Sequence, residues 1–132
     1  MNKNDISDKE DIKVFVDAFY EKVRKDDLIG PVFAARVASP DWPAHLNRMY
    51  SFWNTVLFGK ADYRGNPFAR HASLPIHAEH FERWTQLFIQ TIEGFFQGTK
   101  AEEAKYKANK MALMFQSKLE HLRSNGSYIS IL

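Results

Sequence analysis

Apolar residues recur at helical spacing along most of the chain. The first such stretch follows a capping-box pattern, Ser7-Asp8-Lys9-Glu10, and predicts a helix from about Asp8 to Lys25. Its apolar face consists of Ile12, Phe15, Val16, Phe19, Tyr20 and Val23. The residues from Asp26 to Pro31 break this pattern, so Phe33 is expected to be a buried aromatic residue in a loop.

The second stretch starts at Ser39-Pro40-Asp41-Trp42-Pro43 and predicts a helix to about Phe58, which Gly59 can cap. It is apolar on two adjoining faces. The chain is then rich in turn residues as far as Pro75, with room for only a turn or two of helix around Phe68 to Ser73. His71 lies in that short piece.

Two further helices complete the pattern. One is predicted from about Ala78 to Gln97, and another starts with a second capping box, Thr99-Lys100-Ala101-Glu102, and ends at Asn125-Gly126. The chain carries no β-hairpin signal and no repeat. The sequence therefore predicts an all-α fold with four principal helices.

Composition limits the class of protein. The 132 residues, 45% apolar and 26% charged, predict one globular domain over 1–132 with flexible ends at 1–7 and 127–132. Aromatic residues make up 14%, including 11 Phe, which is more flat apolar surface than a small helical domain needs to pack against itself. We therefore expect a flat ligand to share the core.

Charge and residue usage exclude several functions. A net charge of +2, with acids and bases mixed along the chain, argues against nucleic-acid binding. The chain has no cysteine for disulfides, and its start lacks the apolar stretch of a signal peptide, so a cytoplasmic location is expected. It also lacks an apolar run of the roughly 18 residues that would span a membrane.

A series of short motifs runs through nearly the whole chain in a fixed order. They are Phe19-Tyr20-Glu21-Lys22-Val23-Arg24, Gly30-Pro31-Val32-Phe33, Trp42 with His45, Phe52-Trp53, Asp62-Tyr63 with Gly65 and Pro67, His71-Ala72-Ser73-Leu74-Pro75, and Phe81 with Trp84. In combination they resemble the group III truncated haemoglobins. The resemblance implies a truncated globin-like two-over-two helical sandwich around haem b, with the proximal histidine on a reduced segment.

The resemblance places His71 as the proximal ligand of the haem iron. Haem iron needs one firm axial ligand, and neutral imidazole leaves the opposite side open for a diatomic gas. The proline-bounded segment would fix the ring, and its second nitrogen would donate to a carbonyl or water. Without the resemblance, a histidine in a polar loop would be the simpler interpretation.

Three donors are expected on the distal side: Tyr20, His45 and Trp84. A bound gas that accumulates negative charge is stabilised by a hydroxyl, imidazole or indole N–H. The resemblance implies that Tyr20 hydrogen-bonds the ligand and that Trp84 is the distal tryptophan. His45 could donate directly or swing between pocket and solvent as a gate. Ordinary packing is the alternative for each.

The remaining site candidates form the walls and rim. Arg48 and Arg70 are candidates to bind the haem propionates, although a solvated charged face would explain them equally well. His77 and His80 are expected at the surface, since no further ligand cluster accompanies them. The wall candidates, which could equally be plain core, are Phe33, Met49, Phe52, Trp53, Phe81, Met111 and Phe115.

The sequence is compatible with three functions. The first is reversible binding of oxygen and other diatomic ligands, such as nitric oxide and carbon monoxide. The second is a haem enzyme that oxidises nitric oxide to nitrate or acts on peroxide, for which this short chain would need a separate reductase. The third, from another class, is a cofactor-free helical interaction module whose aromatic residues simply form its core.

Overall fold

The computed structural model describes residues 3–63, 65 and 76–124. These ranges contain helices and no strand, as the sequence predicts. The helices are α1 (Lys9–Lys25), α2 (Gly30–Arg36), α3 (Trp42–Phe58), α4 (Ala78–Phe95) and α5 (Thr99–Ser124), with a 3₁₀ turn at Ser39–Asp41 before α3. Among the described residues, no helix combines the length and the apolar character needed to cross a membrane.

Helix α1 begins one residue later than predicted, because Asp8 is its cap. The Asp8 side chain accepts a hydrogen bond from the Asp11 amide at 3.1 Å. Ser7 lies outside the helix, and its hydroxyl donates to the Asp11 carboxylate at 2.9 Å. A carboxylate at the cap also interacts favourably with the positive end of the helix dipole.

The prediction that Phe33 lies in a loop was wrong, because Phe33 belongs to α2. Pro31 occupies the first turn of that helix, where its missing N–H costs nothing and its fixed φ favours helical backbone. Just before the helix, the Asp26 carboxylate accepts hydrogen bonds from the amides of Leu28 and Ile29, both at 3.0 Å. The turn that sequence analysis took for a loop therefore starts a short helix.

Helix α3 ends as predicted. Gly59 has a φ of 66°, the left-handed conformation typical of a glycine that follows a helix. The Lys100 ammonium donates to the Leu57 carbonyl at 2.6 Å, so it satisfies an otherwise open acceptor in the last turn. This contact joins the end of α3 to the start of α5.

Helix α5 is capped from the far end of the chain. Sequence analysis assigned the cap to Thr99, which is instead the first helical residue. The Asp5 carboxylate accepts from the amides of Lys100 and Ala101, both at 2.9 Å. Gly98 permits this approach, because a Cβ there would lie 2.6 Å from Asp5 Cγ and its φ is 141°.

Residues near the N-terminus, where the sequence predicts a flexible end, make defined contacts. Asn4 accepts a hydrogen bond through its carbonyl from the Gln97 amide at 3.0 Å. Ile6 is buried within the core. Together with the Asp5 cap, these contacts attach the chain start to the junction between α4 and α5.

Two helix pairs face each other across the core. Helix α1 packs against α3 and α4, and α4 packs against α5, which is the two-over-two arrangement that the resemblance implies. Phe88 stacks between Trp53 and Trp84, with ring centroids 4.9 and 5.6 Å away and interplanar angles of 19° and 11°. The edges of Phe15 and Phe19 close this stack from α1.

Candidate functional site

A cavity of about 260 Å³ lies between the helix pairs. It is close to the lower end of the range for small-molecule sites, about 300–1,000 Å³. All the predicted site residues that the structure describes line it. They are Tyr20, Phe33, His45, Arg48, Met49, Phe52, Trp53, Phe81, Trp84, Met111 and Phe115. His71 and Arg70 lie outside the described residues.

Several lining residues were missed by sequence reasoning. Arg36 was missed because α2 was not predicted, yet it follows Phe33 by one helical turn. Tyr63 was noted only as part of a motif. His80, expected at the surface, is partly exposed and also lies at the cavity wall, where its Nδ1 accepts from the His77 amide at 2.9 Å. Its position one turn before Trp84 could have indicated this.

Tyr20 lies on the buried face of α1 and is only 7% exposed. Burial raises the pKa of its phenol, so the hydroxyl stays protonated and remains a donor. Its ring contacts Phe33 and His45, with centroids 5.8 and 5.0 Å away. Tyr20 lines the cavity, and its hydroxyl forms no hydrogen bond to another described residue. Among the described residues, nothing competes for this donor at the cavity wall.

His45 lies one turn into α3 and faces Tyr20 edge-on, with an interplanar angle of 86°. Its Nε2 atom is shielded from solvent. An imidazole nitrogen can donate or accept according to its tautomer, so this position suits either kind of polar partner. The structure thus brings the predicted phenol and imidazole together at one part of the cavity wall.

Trp84 completes the set of predicted donors. It is half-buried on α4 and lines the cavity one turn after Phe81. Its ring is parallel to Phe88 within 11° and meets the edge of Phe19 at 5.4 Å. Contacts on two sides fix the plane of the indole.

The charge at the cavity is positive. Arg36 and Arg48 line it while remaining exposed, and neither forms an ion pair within the described part of the chain. The described lining residues include no acid. Guanidinium groups at the edge of an apolar cavity are suited to carboxylates of a bound ligand.

These features fit a haem. The walls are flat and aromatic, phenol, imidazole and indole groups supply polar partners, and cations stand at the edge. Within the described ranges, no three metal-ligating side chains come together. A porphyrin supplies four nitrogens to its iron, so a haem needs one firm protein ligand rather than such a cluster.

Comparison with known proteins gives the same answer. A family model described as bacterial-like globin matches residues 4–117. The group 3 truncated haemoglobin of Campylobacter jejuni is 33% identical over 114 residues, which cover 84% of this chain and 90% of that protein. The crystal structure of a group III truncated haemoglobin from Campylobacter jejuni aligns with a TM-score of 0.81 at 32% identity, covering 89% of this chain and 94% of the other. The chain therefore belongs to the bacterial-like globin family, as a haem-binding truncated haemoglobin of group III.

Proposed function

We propose that this globin holds haem b through His71 and binds diatomic gases reversibly on the opposite side of the cofactor, with oxygen as the favoured ligand. The observation that carries the proposal is the grouping of Tyr20, His45 and Trp84 around one apolar cavity. When bound, the haem supplies an iron with an open coordination position. Family membership argues against the cofactor-free helical module.

His71 is proposed as the axial ligand because it occupies the motif that the family resemblance assigns to that role. The other histidines have different environments. His45 lies beside Tyr20, His80 accepts the His77 amide, and His121 is exposed near the end of α5. His71 would bind through one ring nitrogen, while its other nitrogen donates to a nearby acceptor and fixes the tautomer.

The distal groups would stabilise a gas that draws negative charge. Tyr20 offers a neutral hydroxyl, because burial raises its pKa, and Trp84 offers an indole N–H in a fixed plane. A hydrogen bond to a charged acceptor contributes about 1.5–3 kcal/mol. His45 can add a third contact from α3. Such donors favour oxygen over carbon monoxide, which accepts hydrogen bonds weakly.

The other lining residues would orient the cofactor and exclude water. Phe33, Phe52 and Phe115 present aromatic surface to the cavity, which suits a flat macrocycle. Arg48 and Arg70 would hold its carboxylates. Arg36, on the neighbouring α2, is a further candidate for the same contact.

A spectrum tests this function. We expect the wild-type protein to take up one haem and to give a Soret band that shifts when the reduced protein binds carbon monoxide. His71→Ala should lose the histidine-ligated ferrous spectrum, whereas the matched variant His121→Ala should keep it. A normal five-coordinate ferrous spectrum in His71→Ala would refute the axial assignment.

A second experiment separates ligand binding from catalysis. We expect stable oxygenation in air, and at most one round of haem oxidation when nitric oxide or peroxide is added, with no sustained turnover when a reductase of general specificity is supplied. Rapid conversion of nitric oxide to nitrate, sustained by that reductase, would instead support an enzyme. Rapid consumption of peroxide would do the same.

A further inference from the structure

Trp42 lies directly behind the cavity wall. It is the first residue of α3 and is 5% exposed, yet it does not line the cavity. A large indole at the start of a helix is usually explained by packing alone. Here, the neighbours of the indole indicate a role in the site as well as in packing.

The indole contacts three residues that do line the cavity, one from each of three helices. Its ring centroid lies 5.8 Å from that of Tyr20 on α1 and 5.2 Å from that of His45 on α3. It also stacks on Phe33 of α2, at 6.4 Å and an angle of 26°. One side chain therefore supports both the phenol and the imidazole of the distal site.

The indole is held by a charge as well. The Arg24 guanidinium carbon lies 4.5 Å from the ring centroid, which is within the range of a cation–π interaction. Arg24 is exposed and follows Tyr20 by one turn of α1. The same helix thus supplies the distal phenol and the cation that holds the indole behind it.

Local sequence sets the geometry of this arrangement. Pro43 stands in the first turn of α3, where its fixed φ favours the start of a helix. His45 follows Trp42 by three residues, so the two side chains lie on the same face of α3. Indole and imidazole meet nearly at right angles, at 84°.

We propose that Trp42 is a positioning residue that holds Tyr20 and His45 in the orientation in which they meet a ligand in the cavity. The inference rests on the distal roles proposed above. Removing the indole would leave a space behind both side chains, and each would gain rotamers directed away from the ligand. The distal hydrogen bonds would then form only part of the time.

Infrared spectroscopy of the carbon monoxide adduct tests this, because the C–O stretch responds to the polarity next to the ligand. The haem-loaded variants are Trp42→Leu, Trp42→Phe, Tyr20→Phe and His45→Leu. Phe96→Leu is the matched control, because Phe96 is also a buried aromatic but contacts Phe15 and Phe95 rather than the distal residues.

We expect both Trp42 variants to gain a second C–O band near the position found in Tyr20→Phe or His45→Leu. Oxygen should dissociate about three- to tenfold faster, as expected when a hydrogen bond is partly lost. Phe96→Leu should lower the unfolding temperature and leave the band in place. If Trp42→Leu does not fold, Trp42→Phe alone decides the question.

Two results would overturn the inference, and they differ in what else they refute. A single wild-type band in the Trp42 variants, with shifted bands in Tyr20→Phe or His45→Leu, would reduce Trp42 to core packing and leave the proposed function intact. Unchanged bands in all four variants would refute the distal roles themselves, and the role of Trp42 with them.

Discussion

Replacing Tyr20 with phenylalanine separates the stability of the fold from the function of the site. The side chain is 7% exposed, and its hydroxyl forms no hydrogen bond to another described residue. Burying a hydroxyl costs about 1–3 kcal/mol when nothing satisfies it, and removing this one breaks no described hydrogen bond and leaves the ring contacts with Phe33 and His45 in place. We therefore expect Tyr20→Phe to leave the free energy of unfolding of the haem-free protein unchanged, or to raise it by about 1 kcal/mol.

The oxygen complex, in contrast to the fold, should become less stable in Tyr20→Phe. The variant loses one hydrogen bond to a ligand that carries negative charge, worth about 1.5–3 kcal/mol. Since about 1.4 kcal/mol corresponds to a factor of ten, oxygen should dissociate about 10- to 100-fold faster. Carbon monoxide accepts hydrogen bonds weakly, so its dissociation rate should change by less than about threefold.

Stopped-flow displacement of oxygen by carbon monoxide measures the first rate, and replacement of carbon monoxide by nitric oxide measures the second. Chemical denaturation of the haem-free protein gives the free energy of unfolding. An unchanged oxygen rate would show that the Tyr20 hydroxyl does not contact the ligand. A loss of more than about 2 kcal/mol in unfolding free energy would show that the hydroxyl has a structural partner and would refute this prediction.

Three further predictions concern the contacts that support the site. Asp5→Ala should lower the free energy of unfolding by about 2 kcal/mol at neutral pH, because it removes the acceptor that caps α5. Burial raises the pKa of Asp5, but its backbone hydrogen bonds outweigh this and bring the pKa below 3.8. The difference in unfolding free energy between wild type and variant should therefore have its full size above pH 3.8 and shrink as the pH falls through the pKa of Asp5 in the folded protein. Denaturation at several pH values measures this difference. Gly98→Ala should cost at least about 1 kcal/mol in thermal unfolding, because its Cβ would meet Asp5 at a φ that disfavours side chains; a wild-type melting curve would contradict this close approach. Arg83→Met breaks the 2.7 Å ion pair with the nearly buried Asp26, but Arg83 is 41% exposed, so we expect a loss of only about 1–2 kcal/mol in urea denaturation, and no loss would mean that solvent fully replaces the pair.

Much of the candidate site could be predicted because its residues belong to regular helices. Tyr20 shares a helical stripe with Val16 and Val23, and Trp84 follows Phe81 by one turn, so periodicity alone indicates which side chains face inward. The structure brings all the described candidates to one cavity. Their roles towards the haem and its ligand remain predictions, as does that of His71.

The predictions failed where a local sequence pattern is compatible with two different structures. Gly30-Pro31 can end one helix or begin another, and the sequence does not say that Asp26 satisfies the amides that precede α2. Missing α2 meant missing Arg36 at the cavity edge. The contact of His80 with the cavity was also missed, because a polar residue near a helix start is usually exposed and spacing alone does not show what it faces.

The sequence by itself determined the approximate spans of the four longer helices, their inward-facing stripes and the motif order that indicates a haem-binding globin. These depend on interactions between residues close together in the chain, so they can be derived from spacing and residue type. Only the tertiary structure decided that Asp5 caps α5 and that Trp42 contacts Arg24 as well as Tyr20 and His45. Such contacts join residues far apart in the chain, and they form only once the packing of several helices brings those residues together.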